Sequence, residues 1–289
     1  MEMSDVTRAI AAATAVAASF DLPADDAVVL HNSNKLALRL TPCDVFARVA
    51  PVGHEVAQFE VELAGRLTET GYPVAALEPR VDPRVHIRDG FAVTLWTYYE
   101  PVAPEVSPAD YAKALEQLHA GMREIDDVPS PRFTDRVAEA EGIVADPALS
   151  PELADADRVF LGGRLASLRR AIEDRGAAEQ LLHGEPWSGN VLSTKDGPLF
   201  IDFETFCRGP VEFDLAHAPE AVCEYYPNLD QGLLDECRQL VLAMIATWRW
   251  ELGDDLPNGR QSGEEFLRLL RQGPPWQTIG AVASRLDDL

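Results

Sequence analysis

Between residues 183 and 204 the chain concentrates side chains that could handle a charged reaction. His183-Gly184-Glu185-Pro186-Trp187-Ser188-Gly189-Asn190-Val191-Leu192 ends an apolar stretch in a loop that offers a carboxylate at 185 and an amide at 190. Leu199-Phe200-Ile201-Asp202-Phe203-Glu204 then ends a second apolar strand in another carboxylate. Hard oxygen donors of this kind suit Mg²⁺, which keeps several waters and shares phosphate oxygens with its protein ligands. A further acid beside two such ligands could orient or deprotonate an attacking hydroxyl.

The elements that must carry these groups fall into two stretches. After an alanine-rich helix ending near Leu22-Pro23, short strands are predicted over Ala27–Leu30, Leu36–Leu40 and Val45–Val49, separated by turn chemistry at Asn32-Ser33-Asn34 and Thr41-Pro42-Cys43-Asp44. Glu55–Glu69 reads as a helix with Phe59, Leu63 and Leu67 on one stripe and Gly71 as its stop. Val85–Ile87 and Phe91–Trp96 flank Arg88-Asp89-Gly90, a hairpin signal. From Ser107-Pro108-Ala109-Asp110, an N-cap followed by a first-turn proline, the chain turns helical. Helices are expected over 131–145, 151–175 and 233–250, interrupted by short strands between Leu181 and Phe203. The fold class expected is α+β, with a small antiparallel-sheet lobe over 1–97, a larger mainly helical lobe over 98–289 and a cleft between them.

The segment from Leu181 to Ala216 resembles the aminoglycoside phosphotransferase family of small-molecule kinases, whose fold is that of the protein kinases. Asn190 and Asp202 match the family's two metal-binding positions. Asp214, in Gly209-Pro210-Val211-Glu212-Phe213-Asp214-Leu215-Ala216, matches the aspartate that braces the catalytic loop. The catalytic aspartate of the family is replaced by Glu185, one methylene longer, so the reach of the carboxylate changes by about one carbon–carbon bond. In the front lobe the resemblance places Asn34 in the phosphate-covering turn and Arg48, in Val45-Phe46-Ala47-Arg48-Val49, at the cation for the α/β-phosphates. Arginine there grips phosphate differently from lysine. Glu60 matches the helix acid that pairs with that cation, with Glu62 as the rival; Leu95, Trp96 and Tyr98 lie in the segment whose backbone would read adenine.

The resemblance implies an ATP- and Mg²⁺-dependent transfer of the γ-phosphoryl group to a hydroxyl of a small molecule, such as an amino sugar, an aminoglycoside or another alcohol. Glu185 and the missing lysine and glycines keep a second reading open: a kinase-fold protein that binds nucleotide or a small ligand without transfer. His183 and His119 are expected to hydrogen-bond or pack and not to act as bases or ligands.

Composition bounds the partners. The 289 residues carry 25 Lys+Arg against 48 Asp+Glu, a formal net charge of −23, with only three lysines, Lys35, Lys113 and Lys195. Such an anion with no basic run is repelled by nucleic acid and by anionic membranes. Acids at Glu224, Asp235, Asp254, Asp255, Glu264 and Glu265 allow either a field that draws a cationic acceptor or an ordinary solvated surface. The four cysteines have no metal-ligand spacing, and no positive leader precedes the apolar Ala9–Phe20 stretch, so a cytoplasmic protein is expected. Oligomeric state is left open, with a monomer as the working expectation.

Overall fold

Leu36, Leu38 and Leu40 alternate with Ala37 and Arg39, the pattern of a strand with one apolar face, and that is how the segment folds. The computed structural model describes residues 1, 3–32, 35–53, 56–125, 128–254, 256, 258–276, 278, 280 and 282. They form two units: Met1–Pro104 with Leu192–Glu204, and Glu105–Val191 with Thr205–Leu289.

The first unit opens with helix α1 (Met3–Ala18), then strands β1 (Ala24–Asn32), β2 (Leu36–Pro42) and β3 (Val45–Pro51), helix α2 (Val56–Glu69), and strands β4 (His86–Arg88) and β5 (Phe91–Thr97). The five strands make one antiparallel sheet in the order β1-β2-β3-β5-β4. The predicted hairpin is present: Asp89 and Gly90 both have positive φ (50° and 86°), which a two-residue primed turn requires. On one face of the sheet Ala9, Ala13 and Val16 of α1 close on Leu36, Leu38, Val45, Val49 and Leu95. Alanine lets the helix approach closely, and each buried leucine contributes about 2 kcal/mol of apolar burial. The register pairs Ala37 with Arg48 and Arg48 with Thr94, so these three side chains share the opposite face, the one that carries α2.

The buried stripe of α2 differs from the one expected. Phe59 is exposed, whereas Glu60, Val61, Leu63, Ala64 and Leu67 are buried. A carboxylate therefore occupies the first place of an i, i+3, i+4, i+7 series.

The second unit begins with α3 (Pro108–Arg123), capped as expected by Ser107, whose Oγ accepts from the Asp110 N–H at 3.2 Å. Helices α4 (Phe133–Ala145) and α5 (Asp155–Asp174) follow, then the short strand β6 (Gln180–Leu182). The loop 183–190 leads into β7 (Val191–Thr194) and β8 (Gly197–Phe200), which return the chain to the first unit. That return, which a division at residue 97/98 leaves out, has a backbone cause. Phe200 N–H donates to Pro73 O, Ala75 N–H to Phe200 O, and Val102 N–H to Ser193 O, at 2.8–3.0 Å.

Strand β9 (Cys207–Gly209) pairs with β6, and helices α6 (Val211–His217), α7 (Glu220–Cys223), α8 (Gln231–Trp248) and α9 (Gly259–Gln272) complete the second unit. The onset of α8 lies two residues before the predicted 233, because Asp230 caps it through the Leu233 N–H. All four cysteines are free, and no described helix is long and apolar enough to cross a membrane.

One buried group gives this unit a pH signature. His217 packs edge-on against Phe213, and neither ring nitrogen has a partner among the described residues. Burial, then the nearby Arg136 charge, pushes its pKa down to about 3. The folded state thus refuses a proton that the unfolded chain accepts near pH 6.5. The stability is fully present above that pH and is lost as pH falls from 6.5 toward 3, by about 1.4 kcal/mol per unit. Urea unfolding from pH 7 to 4.5 is expected to show this slope, and His217→Phe to flatten it. Parallel slopes for the two proteins would contradict the assignment.

Candidate active site

Arg48 is the hub of a charged cluster within the first unit. Its Nη1 donates to Glu60 Oε1 at 2.5 Å, while Nη2 donates to Asp202 Oδ1 at 2.9 Å and to Glu204 Oε1 at 3.3 Å. Strand β3 supplies the cation, helix α2 one acid, and the segment after β8 the other two. Glu60, not Glu62, is the partner: Glu62 is exposed and accepts from Gln58 instead. Burial pushes the Glu60 carboxyl up, against the pull of Arg48. Burial also works against the Arg48 charge, but Glu60 and Asp202 outweigh it and hold the guanidinium above its ordinary value. Glu60 Oε1 also accepts the Phe203 N–H at 3.2 Å, so the helix acid fixes the backbone between Asp202 and Glu204.

Asp202 itself sits at φ 65°, the left-handed region that aspartate tolerates better than most residues. Single residues held there gather at functional sites.

The sequence reading missed a fifth member. Lys35, immediately before β2, forms an ion pair with Glu204 and is largely buried. Burial, then the Arg48 charge, pushes its pKa down to about 8, against Asp202 and Glu60. Lys35, Arg48, Glu60, Thr94 and Glu204 line a small depression that opens to solvent. The signal was present in the alternation, since Lys35, Ala37 and Arg39 share one face of β2. Asn34, expected in the phosphate-covering turn, lies outside the described residues.

Two of the three residues expected in the adenine-reading segment lie inside the sheet. Leu95 and Trp96 are buried inside β5, Leu95 in the α1 core and Trp96 against Val61 and Ala64. The strand's outer edge is also engaged: Leu95 O accepts from Glu78 N–H at 3.0 Å and Thr97 N–H donates to Ala76 O at 2.9 Å. Of the three residues, Tyr98 alone lies past the paired strand, its ring 4.1 Å from the Arg39 guanidinium.

In the second unit, Asp214 of α6 organises the loop carrying Glu185. Its Oδ2 accepts from His183 N–H (2.9 Å) and lies 2.9 Å from His119 Nε2, and its Oδ1 accepts from Gly184 N–H (2.8 Å). Burial would raise this carboxyl, but His119 and the Gly184 N–H hold it below its ordinary value. His119 in turn lies 2.7 Å from the Tyr226 hydroxyl, fully buried, so it packs and hydrogen-bonds as expected of it. Gly184 has φ 90°, and a Cβ there would lie 1.8 Å from Thr205 O, so only glycine fits. The backbone then presents Glu185, partly exposed, and Asn190 Nδ2 donates to Glu185 O at 3.0 Å.

That last bond decides which end of the Asn190 amide is left for a cation: Oδ1, a hard donor. No group of three or more His, Cys, Asp or Glu side chains suited to a metal occurs among the described residues. Asn190 Oδ1 in the second unit and the Asp202 carboxylate in the first are each hard oxygen donors of the kind Mg²⁺ takes beside water and phosphate.

Asp214→Asn is expected to lower stability by about 2–3 kcal/mol in urea unfolding, because one amide end faces N–H donors it cannot accept. Gly184→Ala is expected to yield no folded protein. A change under about 0.5 kcal/mol for Asp214→Asn would remove the brace from the account.

Comparison with known proteins bears on the family and the fold. No curated protein matches by sequence. Among solved structures, a choline/ethanolamine kinase family protein from Mesorhizobium loti superposes with TM-score 0.68 at 16% identity, covering 95% of this chain and 97% of that one. An amicoumacin kinase in complex with AMP-PNP, Ca²⁺ and Ami gives TM-score 0.70 at 12% identity, with 95% and 98% covered. An aminoglycoside phosphotransferase from Streptomyces rimosus gives TM-score 0.52 at 21% identity, with 91% and 96% covered. The fold is thus the protein-kinase-like fold of small-molecule kinases. Residues 27–248 match the model of the phosphotransferase enzyme family, and the chain belongs to that family.

Proposed function

We propose that this phosphotransferase moves the γ-phosphoryl group of ATP, in the presence of Mg²⁺, to a hydroxyl of a small molecule. The observation that carries the reading is Arg48, a buried cation held jointly by the Glu60 carboxylate of α2 and by Asp202. A strand cation tied to a helix acid and to the acid that follows the next strand pair is what phosphoryl transfer by positioning and charge neutralisation requires. The amicoumacin kinase, whose structure contains AMP-PNP and Ca²⁺, supports the nucleotide and divalent-ion part.

In this reading Arg48 and Glu60 position the α/β-phosphates, and Asp202 with Asn190 Oδ1 hold the metal. When bound, Mg²⁺ supplies charge neutralisation on the phosphate oxygens. Glu185 orients the acceptor hydroxyl and takes its proton at a carboxylate oxygen, while Asp214 and Gly184 fix the loop from which it reaches. Tyr98 and the backbone after it are where the purine edge would be met. Acceptor charge is not part of the reading. Asp235, Asp254 and Glu265 each pair with an arginine nearby (Arg238, Arg249, Arg268), which favours a solvated acidic surface over a cation-drawing one; Asp255 lies outside the described residues.

An ADP-release assay over polyols, sugars, aminoglycosides and amino alcohols tests this. Asp202→Ala is expected to abolish turnover. Glu185→Gln is expected to lower kcat by about 10²–10⁴ with the ATP KM little changed. Glu185→Asp, which withdraws the carboxylate by one methylene, should cost about 10–100-fold. Turnover that survives Asp202→Ala would sink the metal assignment. ATP binding without transfer to any acceptor would favour a nucleotide-binding protein of the same fold.

A further inference from the structure

We propose that Lys35, delivered by the start of β2, binds nucleotide phosphate beside Arg48, and that the Glu204 carboxylate is the counter-ion that the phosphate displaces. The inference rests on the nucleotide reading above and adds to it a second cation on a different strand.

Three observations lead to it. The first is placement. Leu36 pairs with Val49 and Ala37 with Arg48, and side chains alternate along a strand, so Lys35 shares the face of Ala37 and Arg48. Its side chain is 11% exposed and lines the same depression as Arg48, Glu60, Thr94 and Glu204.

The second is the division of labour between the two cations. Arg48 already donates to three carboxylates, one of them the almost inaccessible Glu60. A planar guanidinium locked in that way is a cross-brace, with its donors directed by its partners. Lys35 is a point charge with three rotatable donors, and its ion pair is with Glu204. It can turn toward a new anion while Glu60 and Asp202 still hold Arg48.

The third is the position of Glu204. A single oxygen, Oε1, lies against both Lys35 Nζ and Arg48 Nη2. An anionic oxygen held between two cations is the contact a phosphate oxygen would make there. Glu60 cannot vacate its place, since its side chain is 3% exposed and it also holds the Phe203 N–H; the Glu204 side chain, at 24%, reaches solvent. Glu60, Asp202 and Glu204 carry three negative charges against the two of Lys35 and Arg48. Withdrawal of Glu204 would leave Lys35 and Arg48 to face a phosphate oxygen in its place.

Calorimetric titration of the full chain with AMP-PNP·Mg²⁺ and, separately, with adenosine tests the proposal. Lys35→Met is expected to weaken AMP-PNP·Mg²⁺ binding at least 30-fold and leave adenosine binding within twofold. Lys35→Arg should stay within about fivefold of the parent. Glu204→Gln, which removes the competing charge, should tighten AMP-PNP·Mg²⁺ binding about 3–10-fold. If Lys35→Met binds AMP-PNP·Mg²⁺ as the parent does, the inference fails and the nucleotide reading stands. If the parent protein binds no AMP-PNP·Mg²⁺, both fail together. Equal losses for AMP-PNP and adenosine would make Lys35 a structural residue only, and weaker binding by Glu204→Gln would overturn the counter-ion role. Should Lys35→Met not fold, Lys35→Arg and Glu204→Gln still decide the matter.

Discussion

A carboxylate buried on the apolar stripe of a helix is the constraint from which the first unit's chemistry follows. Glu60 takes the place where α2 would ordinarily carry a leucine, and its side chain is almost inaccessible to water. An ionised carboxylate in that position is costly unless it is paired and hydrogen-bonded. Both conditions are met: Arg48 is brought to it by the register of β2, β3 and β5, and the Phe203 N–H supplies a second bond. Removing either partner leaves an uncompensated buried charge, so strand, helix and the 202–204 segment are held to one arrangement.

The second unit solves a similar problem with the same kind of part. Asp214 is as buried as Glu60, and it too spends its oxygens on backbone N–H groups and a nitrogen side chain. Each acid fixes a loop by its main chain, and each loop carries another acid: Asp202 and Glu204 in one unit, Glu185 in the other. The two bracing carboxylates are buried, whereas Glu185, Asp202 and Glu204 are partly exposed. The side chain of Glu185, one methylene longer than aspartate, changes reach without touching the Asp214 brace.

Much of this was legible in the sequence, for identifiable reasons. The spacing of Glu185, Asn190, Asp202 and Asp214 is local, set by short loops between short strands, and local spacing survives translation into structure. The strand alternation in 36–40 and the Asp89-Gly90 turn were legible for the same reason. What was misread depends on longer-range packing. Phe59 looked like the stripe residue because it is apolar, whereas Arg48, eleven positions earlier in another element, reverses that logic in favour of Glu60. Leu95 and Trp96 could not be recognised as doubly engaged, because the 76–78 segment that pairs with them has no strand signature. Lys35 was given no role of its own, although the alternation that follows it already put it on Arg48's face. Strand β9 is three residues long and is defined by long-range pairing, with β6 and with Arg132.

The coupling between Arg48 and Glu60 is the claim on which the rest stands, and a double-mutant cycle on the AMP-PNP·Mg²⁺ dissociation constant measures it directly. With Arg48→Met, Glu60→Gln and the double variant, the account predicts that each single change costs about as much as both together. The interaction energy would then be about 2–3 kcal/mol. Additive losses, with an interaction energy under about 0.5 kcal/mol, would show that the two residues act independently and contradict the account.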